Sequence, residues 1–331
     1  MRITRETLIR IAKETAEKRA LSDPDLVAAY LTGSLLGENP FLGNTTDVDI
    51  VFVHEGEPQV RREIVSLTPE IHLDLVHNPR REYDKPKELR IHPWLGPELY
   101  DPQPLYMTQH FFEFVQAGVR DKYYEPASVL TRALRLVENA RHLWSRLQHS
   151  QAFGPELILS YLKTVYVAAN AVALLSSDPL AERRFLMQFP GRAEAAEQPG
   201  LADQLSGLLG ADRCDRTTLS VFLPEWEKAF MEAATRPNVE RRIAAARLGY
   251  YKLACESMLA SETPQTAVWP LILTWTLSTA VLPPMWKVRW QEACETLGLG
   301  AGSFDERLEG LDHFLDAIEE KLEKMSASQG L

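Results

Sequence analysis

Three aspartates and a glycine–serine pair are the residues of this chain whose types and spacing best suit chemistry. Asp47 and Asp49 are separated by one residue, and Asp74 follows further along the chain, after Gly33-Ser34. Converging carboxylates repel one another unless a cation lies between them, and Mg²⁺ prefers one or two carboxylates with phosphate oxygens and water. Beside a glycine turn suited to phosphate, this set predicts metal-dependent phosphoryl or nucleotidyl transfer.

The aspartates are placed by two apolar runs that we interpret as strands. Residues 48–53 are rich in β-branched and aromatic side chains. Since successive side chains of a strand point to opposite faces, Asp47 and Asp49 should project from the same face. Asp74 lies inside a second run of this kind, residues 71–77. If the two strands are neighbours, all three carboxylates face one cleft, where two cations would clamp the attacking and leaving oxygens.

The glycine–serine pair closes an earlier apolar run, residues 27–32, which we also interpret as a strand. Glycine allows the backbone to approach a phosphate closely, and residues 34–36 are expected to begin a short helix. The free N–H groups of that helix and its dipole would point at a triphosphate, with the Ser34 hydroxyl as a further donor. Residues 37–46 then form a flexible loop between the two parts of the motif.

The order of these elements resembles the DNA polymerase β-like nucleotidyltransferase superfamily. In that family an apolar run ends in Gly-Ser, an Asp-x-Asp pair follows, and a third carboxylate lies on a later strand. Gly33 and Ser34 correspond to the first element, Asp47 and Asp49 to the second, and Asp74 to the third, within residues 24–77. The resemblance implies a small mixed sheet with helices on one side, two Mg²⁺ ions, ATP or another NTP as donor, and release of pyrophosphate.

Within the superfamily the chain looks most like the antibiotic, aminoglycoside-type nucleotidyltransferases, which have a C-terminal helical domain. Their helical domains supply a glutamate as general base and a lysine to the triphosphate. Glu156 and Lys163 share one face of a predicted helix over 155–176, so Lys163 is the candidate for the phosphate contact. A solvent-facing polar stripe is the alternative interpretation. The general base is either Asp74 or a helical-domain glutamate such as Glu156.

Composition limits the fold and the partners. The 331 residues, 45% hydrophobic and 25% charged, predict a two-domain α+β protein. We expect a small mixed β-sheet nucleotidyltransferase domain over residues 1–105 and a mainly α-helical bundle over 106–331. A net charge of −10 argues against a nucleic-acid acceptor, because phosphate contacts need clustered Lys and Arg. The acceptor predicted is a small molecule bearing a hydroxyl, and the acidic chain favours a polycationic one.

The cysteines and the apolar segments indicate the compartment. Cys214, Cys255 and Cys294 show no metal-ligand spacing, and an odd number of cysteines without a secretion signal favours the cytoplasm. A predicted helix over 265–281 is uncharged but contains Pro270, so we interpret it as the buried centre of a bundle and predict no membrane span. The sequence leaves the oligomeric state open.

Two further functions remain as alternatives. The acceptor is a protein in antitoxin-type nucleotidyltransferases, although those chains are usually minimal, so the long helical half counts against this function. A nucleotide-binding regulatory protein without turnover is the other alternative, and the presence of all three carboxylates counts against it.

Overall fold

The computed structural model describes residues 3–108, 110–149, 152–237 and 239–330 of the chain. The chain divides into two compact units, residues 1–128 and 129–331. The architecture is α+β, as predicted: a five-stranded mixed sheet with its helices in the first unit, and helices in the second. The first unit includes residues 106–128, which the sequence analysis assigned to the helical domain.

The sheet of the first unit carries the three aspartates. Its strands are β1 (Leu26–Thr32), β2 (Thr46–His54), β3 (Arg62–Ser66), β4 (Ile71–Pro79) and β5 (Gln103–Met107). Their order in the sheet is β3-β4-β2-β1-β5. Strands β2 and β4 are parallel, and the other neighbouring pairs are antiparallel. The predicted strands that hold the aspartates are therefore neighbours, as the sequence analysis required.

Helices cover both faces of this sheet. They are α1 (Arg5–Ser22), α2 (Pro86–Arg90), α3 (Leu95–Tyr100) and α4 (Phe111–Arg120). Helix α1 packs on the face that carries Val48, Ile50 and Phe52, whereas α2, α3 and α4 contribute side chains to a second cluster with Val51 and Val53. The expectation of helices on one side was wrong, because β2 presents apolar side chains to both faces.

The second unit is helical throughout the part that the structure describes. From the unit boundary onward the helices are α5 (Pro126–Leu147), α6 (Pro155–Ala173), α7 (Phe185–Ala195), α8 (Gly200–Leu209), α9 (Arg216–Ala233), α10 (Leu248–Ala260), α11 (Val268–Ala280), α12 (Lys287–Thr296) and α13 (Phe304–Gln329). The uncharged helix α11 is buried and packs against α6 and α9, which confirms that it lies inside the bundle. Among the described residues, every helix is too short or too polar to cross a membrane.

Candidate functional site

The start of β2 places Asp47 and Asp49 on one face of the sheet. Burial alternates along this strand: Val48 and Ile50 are fully buried in the core beneath α1, while the two aspartates between and before them are partly exposed. The aspartates therefore project from the face opposite α1. This agrees with the strand parity expected from the sequence, and it leaves both carboxylates accessible to a ligand.

Asp74 lies directly beside Asp49 across the parallel pair β2–β4. The register aligns Asp49 with Asp74 and Asp47 with His72, so the carboxylates share one sheet face. The flanking residues Leu73 and Leu75 point into the core on the α1 side. Asp74 itself is fully buried, in contrast to Asp47 and Asp49. The three predicted aspartates are thus brought together, but one of them is shielded from water.

Gly33 places the glycine–serine turn, the candidate phosphate-binding element, against Asp49. Its φ is +77°, a left-handed conformation that residues with a Cβ rarely adopt. A Cβ at this position would lie 2.0 Å from the Asp49 Oδ2 atom, so only glycine fits there. The glycine is itself exposed. The first two elements of the predicted motif are therefore in contact, and the contact is open to solvent.

The turn after Gly33 is a 3₁₀ helix, Gly33–Leu36, held from two sides. The Ser34 hydroxyl lies 3.2 Å from the Thr46 hydroxyl at the start of β2. On the other side, the Arg5 guanidinium donates to the carbonyl oxygens of Leu35 (Nε, 2.6 Å) and Leu36 (Nη2, 3.2 Å). The short helix is confirmed, but a four-residue helix has little dipole, so backbone N–H groups would carry any contact with phosphate.

Arg62, which the sequence analysis missed, binds both oxygens of Asp74. Its Nε donates to Oδ1 at 2.5 Å and its Nη2 to Oδ2 at 2.6 Å, the bidentate geometry of an arginine–carboxylate pair. The Arg62 side chain is 38% exposed and the Asp74 side chain 1% exposed. Arg62 is the first residue of the edge strand β3, which pairs with β4. This strand does not alternate clearly between apolar and polar residues, so the sequence does not indicate it.

A second missed group is a chain of hydrogen bonds on the same side of the sheet. The Tyr30 hydroxyl donates to Glu98 Oε1 at 2.7 Å and lies 3.0 Å from the Tyr83 hydroxyl, which accepts from Asn78 Nδ2. Burial raises the pKa of Glu98, while its hydrogen bond from Tyr30 and the charge of Arg62 lower it in part. Glu98 is thus a carboxyl with a raised pKa on the face of the sheet that carries Asp74.

Lys163 and Glu156 belong to the second unit, whereas the three aspartates, Gly33 and Ser34 belong to the first. It lies on the exposed side of α6 with Glu156 and Ser160, and the Ser160 hydroxyl donates to the Glu156 backbone oxygen. The polar stripe predicted for this helix is therefore present. The contact of Lys163 with a triphosphate and the role of Glu156 as base stay predictions.

The donor set around Asp49 fits a hard cation only in part. The partly exposed oxygens of Asp47 and Asp49, next to an exposed glycine, match the preference of Mg²⁺ for one or two carboxylates with phosphate and water. Asp74 is a poorer Mg²⁺ ligand, because both of its oxygens accept hydrogen bonds from Arg62. Over the described ranges, no group of three or more His, Cys, Asp or Glu side chains is arranged to hold a metal ion.

The chain has little similarity to known proteins. No family model matches the chain, and no curated protein is significantly similar to it. Among solved structures, the chain is similar to a nucleotidyltransferase-like protein from Exiguobacterium sibiricum 255-15, with 11% identity over 95% of this chain and 91% of that one. The TM-score is 0.29, which is too low for the likeness to support an argument about fold or function.

Proposed function

We propose that this protein is a Mg²⁺-dependent nucleotidyltransferase that transfers the nucleoside monophosphate of an NTP, AMP from ATP, to a hydroxyl of a small-molecule acceptor. The observation that carries the proposal is the contact between Gly33 and Asp49, in which the phosphate-type turn lies against the carboxylate pair. This contact joins two motif elements that are separated in the sequence by the loop 37–46.

The residues of the first unit have separate roles in the proposal. Asp47 and Asp49 would hold Mg²⁺, which neutralises phosphate charge and polarises the α-phosphoryl group when bound. The backbone of Gly33 and Ser34 binds the phosphates, and Arg5 fixes that turn through the carbonyls of Leu35 and Leu36. A phosphate contact by Lys163 stays a prediction from the sequence.

The proposed reaction is an in-line displacement at the α-phosphorus. The acceptor oxygen forms a bond to the α-phosphorus, the bond from that phosphorus to the bridging oxygen breaks, and pyrophosphate leaves. The hydroxyl proton passes to a carboxylate, for which Asp74 and Glu156 are the candidates from the sequence and Glu98 is a third from the structure. Burial raises the pKa of Glu98, which makes its carboxylate a stronger base.

The acceptor that suits this chain best is a small cationic molecule with hydroxyl groups. The net charge of −10 favours a cation over a nucleic acid, which would need clustered Lys and Arg. The acceptor class and the choice of ATP rest on the resemblance and on this charge.

The assay is incubation of the full chain with Mg²⁺, ATP labelled at the α-phosphate, and a panel of aminoglycosides and lincosamides. We expect label on an acceptor, with one pyrophosphate released for each product. The Asp47→Ala/Asp49→Ala variant should form no product, whereas Glu88→Ala, an exposed carboxylate on α2, should match the wild type. Equal product from the aspartate variant would refute the proposal.

A further inference from the structure

The ion pair between Arg62 and the buried Asp74 lies where the sequence predicted a third metal ligand. Asp74 is aligned with Asp49 across β2 and β4, so its carboxylate belongs to the same face as the candidate metal ligands. Both of its oxygens accept from the Arg62 guanidinium, at 2.5 and 2.6 Å. A metal ion at Asp74 would have to replace at least one of these two charge-assisted hydrogen bonds.

Replacing them is costly because of where the two side chains lie. The Asp74 side chain is 1% exposed, so its charge is compensated by the protein and hardly by water. A divalent ion placed beside the guanidinium would meet a positive charge at short range in a site of low dielectric constant. The metal and Arg62 therefore exclude each other at this carboxylate.

The charge of Arg62 also acts on a second acidic side chain near Asp74. Arg62 also acts electrostatically on Glu98, whose carboxyl it helps to keep ionised. The charge of Arg62 thus acts on Glu98 as well as on Asp74, to which it is hydrogen-bonded. Asp47 and Asp49 are partly exposed at the start of β2, where a hydrated ion has access.

We infer that the site takes one divalent ion, through Asp47 and Asp49, and that Arg62 occupies the place of a second. Asp74 is then a positioning residue that orients the guanidinium, and it is not a metal ligand. The inference rests on the proposed function and replaces the two ions and the third ligand that the sequence analysis predicted. Arg62 supplies from the protein the positive charge that a second ion would bring to the reacting phosphate.

The experiment is a count of bound Mn²⁺ by electron paramagnetic resonance, with the full chain and saturating α,β-methylene-ATP. We expect one ion per chain for the wild type and for Asp74→Asn, with the Mn²⁺ affinity of Asp74→Asn reduced by no more than about 100-fold, as for a group outside the ligand set. Arg62→Met should bind a second ion, because Asp74 loses the guanidinium.

The outcomes separate this inference from the proposed function. Two ions on the wild type, falling to one in Asp74→Asn, would overturn the inference and leave the proposed function standing. Mn²⁺ binding that is unchanged in Asp47→Asn/Asp49→Asn would overturn both. If Arg62→Met does not fold, the comparison of the wild type with Asp74→Asn decides the question. Arg62→Lys keeps the positive charge but loses the bidentate guanidinium, and we expect it to bind a single ion.

Discussion

The carboxylate of Asp49 lies against the bare Cα of Gly33, at a point where any side chain would collide with it. A Cβ on Gly33 would come within 2.0 Å of Asp49 Oδ2. Because the glycine follows β1 and the aspartate lies on β2, the contact depends on the antiparallel pairing of these strands, which aligns Thr32 with Asp49. The glycine–serine turn and the Asp49 carboxylate are therefore held side by side.

Replacement of Gly33 should damage both stability and metal binding. Gly33→Ala is expected to lower the free energy of unfolding by at least about 1 kcal/mol, since the left-handed conformation disfavours a residue with a Cβ. It should also displace Asp49 and weaken Mn²⁺ binding. Urea denaturation and Mn²⁺ titration measure the two effects. Gly56→Ala is the control, because a Cβ there meets open space; equal losses in both variants would contradict the account.

A histidine pair at the other ends of β2 and β4 should make the first unit sensitive to acid. His54 Nε2 lies 2.9 Å from His77 Nδ1, and the outer nitrogens of the pair face Asp23 (3.2 Å) and Glu63 (3.0 Å). Burial lowers the pKa of both histidines, an effect that the two carboxylates offset in part. The folded state thus prefers neutral imidazoles relative to the unfolded chain.

The sign of the pH effect follows from that preference. The stability contributed by the neutral pair is complete above the ordinary histidine pKa of 6.5 and is lost as the pH falls below it. We expect Tm to fall between pH 7.5 and pH 5, and to fall less in His77→Gln, which keeps a donor toward Glu63. His149→Gln, at an exposed histidine, serves as control. An unchanged pH slope in His77→Gln would refute this explanation.

Glu98 should destabilise the fold at neutral pH. Because burial raises its pKa, the protonated form is favoured in the folded state, and the stability that this contributes is lost as the pH rises through the folded pKa. Glu98→Gln keeps an acceptor for Tyr30 and should raise Tm at pH 7 but not below pH 4.5. Thermal unfolding at the two pH values tests this, with exposed Glu88→Gln as control. A Tm at pH 7 that is lower than in the wild type would contradict it.

Local patterns allowed part of this site to be predicted. The parity of Asp47 and Asp49 follows from strand geometry alone, and the glycine turn follows from a single residue type. The sequence also predicts the start of α6 at Pro155, because proline favours the first turn of a helix. Each of these features depends on neighbours along the chain, which is the information that a sequence pattern carries.

Tertiary pairing determined what the sequence did not reveal. Arg62 lies on an edge strand whose residues are only partly buried, so the strand shows little alternation, and its bond to Asp74 exists only because β3 pairs with β4. Glu98 lies in the short helix α3, inside a proline-rich stretch without a clear period. Helix α7 (Phe185–Ala195) continues through Pro190, a residue type that usually ends a helix.

Metal-dependent nucleotide binding is the most direct test of the central claim that Asp47 and Asp49 hold a metal–nucleotide complex beside Gly33. Isothermal titration calorimetry would measure the affinity of the full chain for α,β-methylene-ATP with Mg²⁺ and with EDTA. We expect binding to the wild type in Mg²⁺ only, and affinity at least about 10-fold weaker in Asp47→Asn/Asp49→Asn. Equal affinity in EDTA, or in the double variant, would contradict the claim.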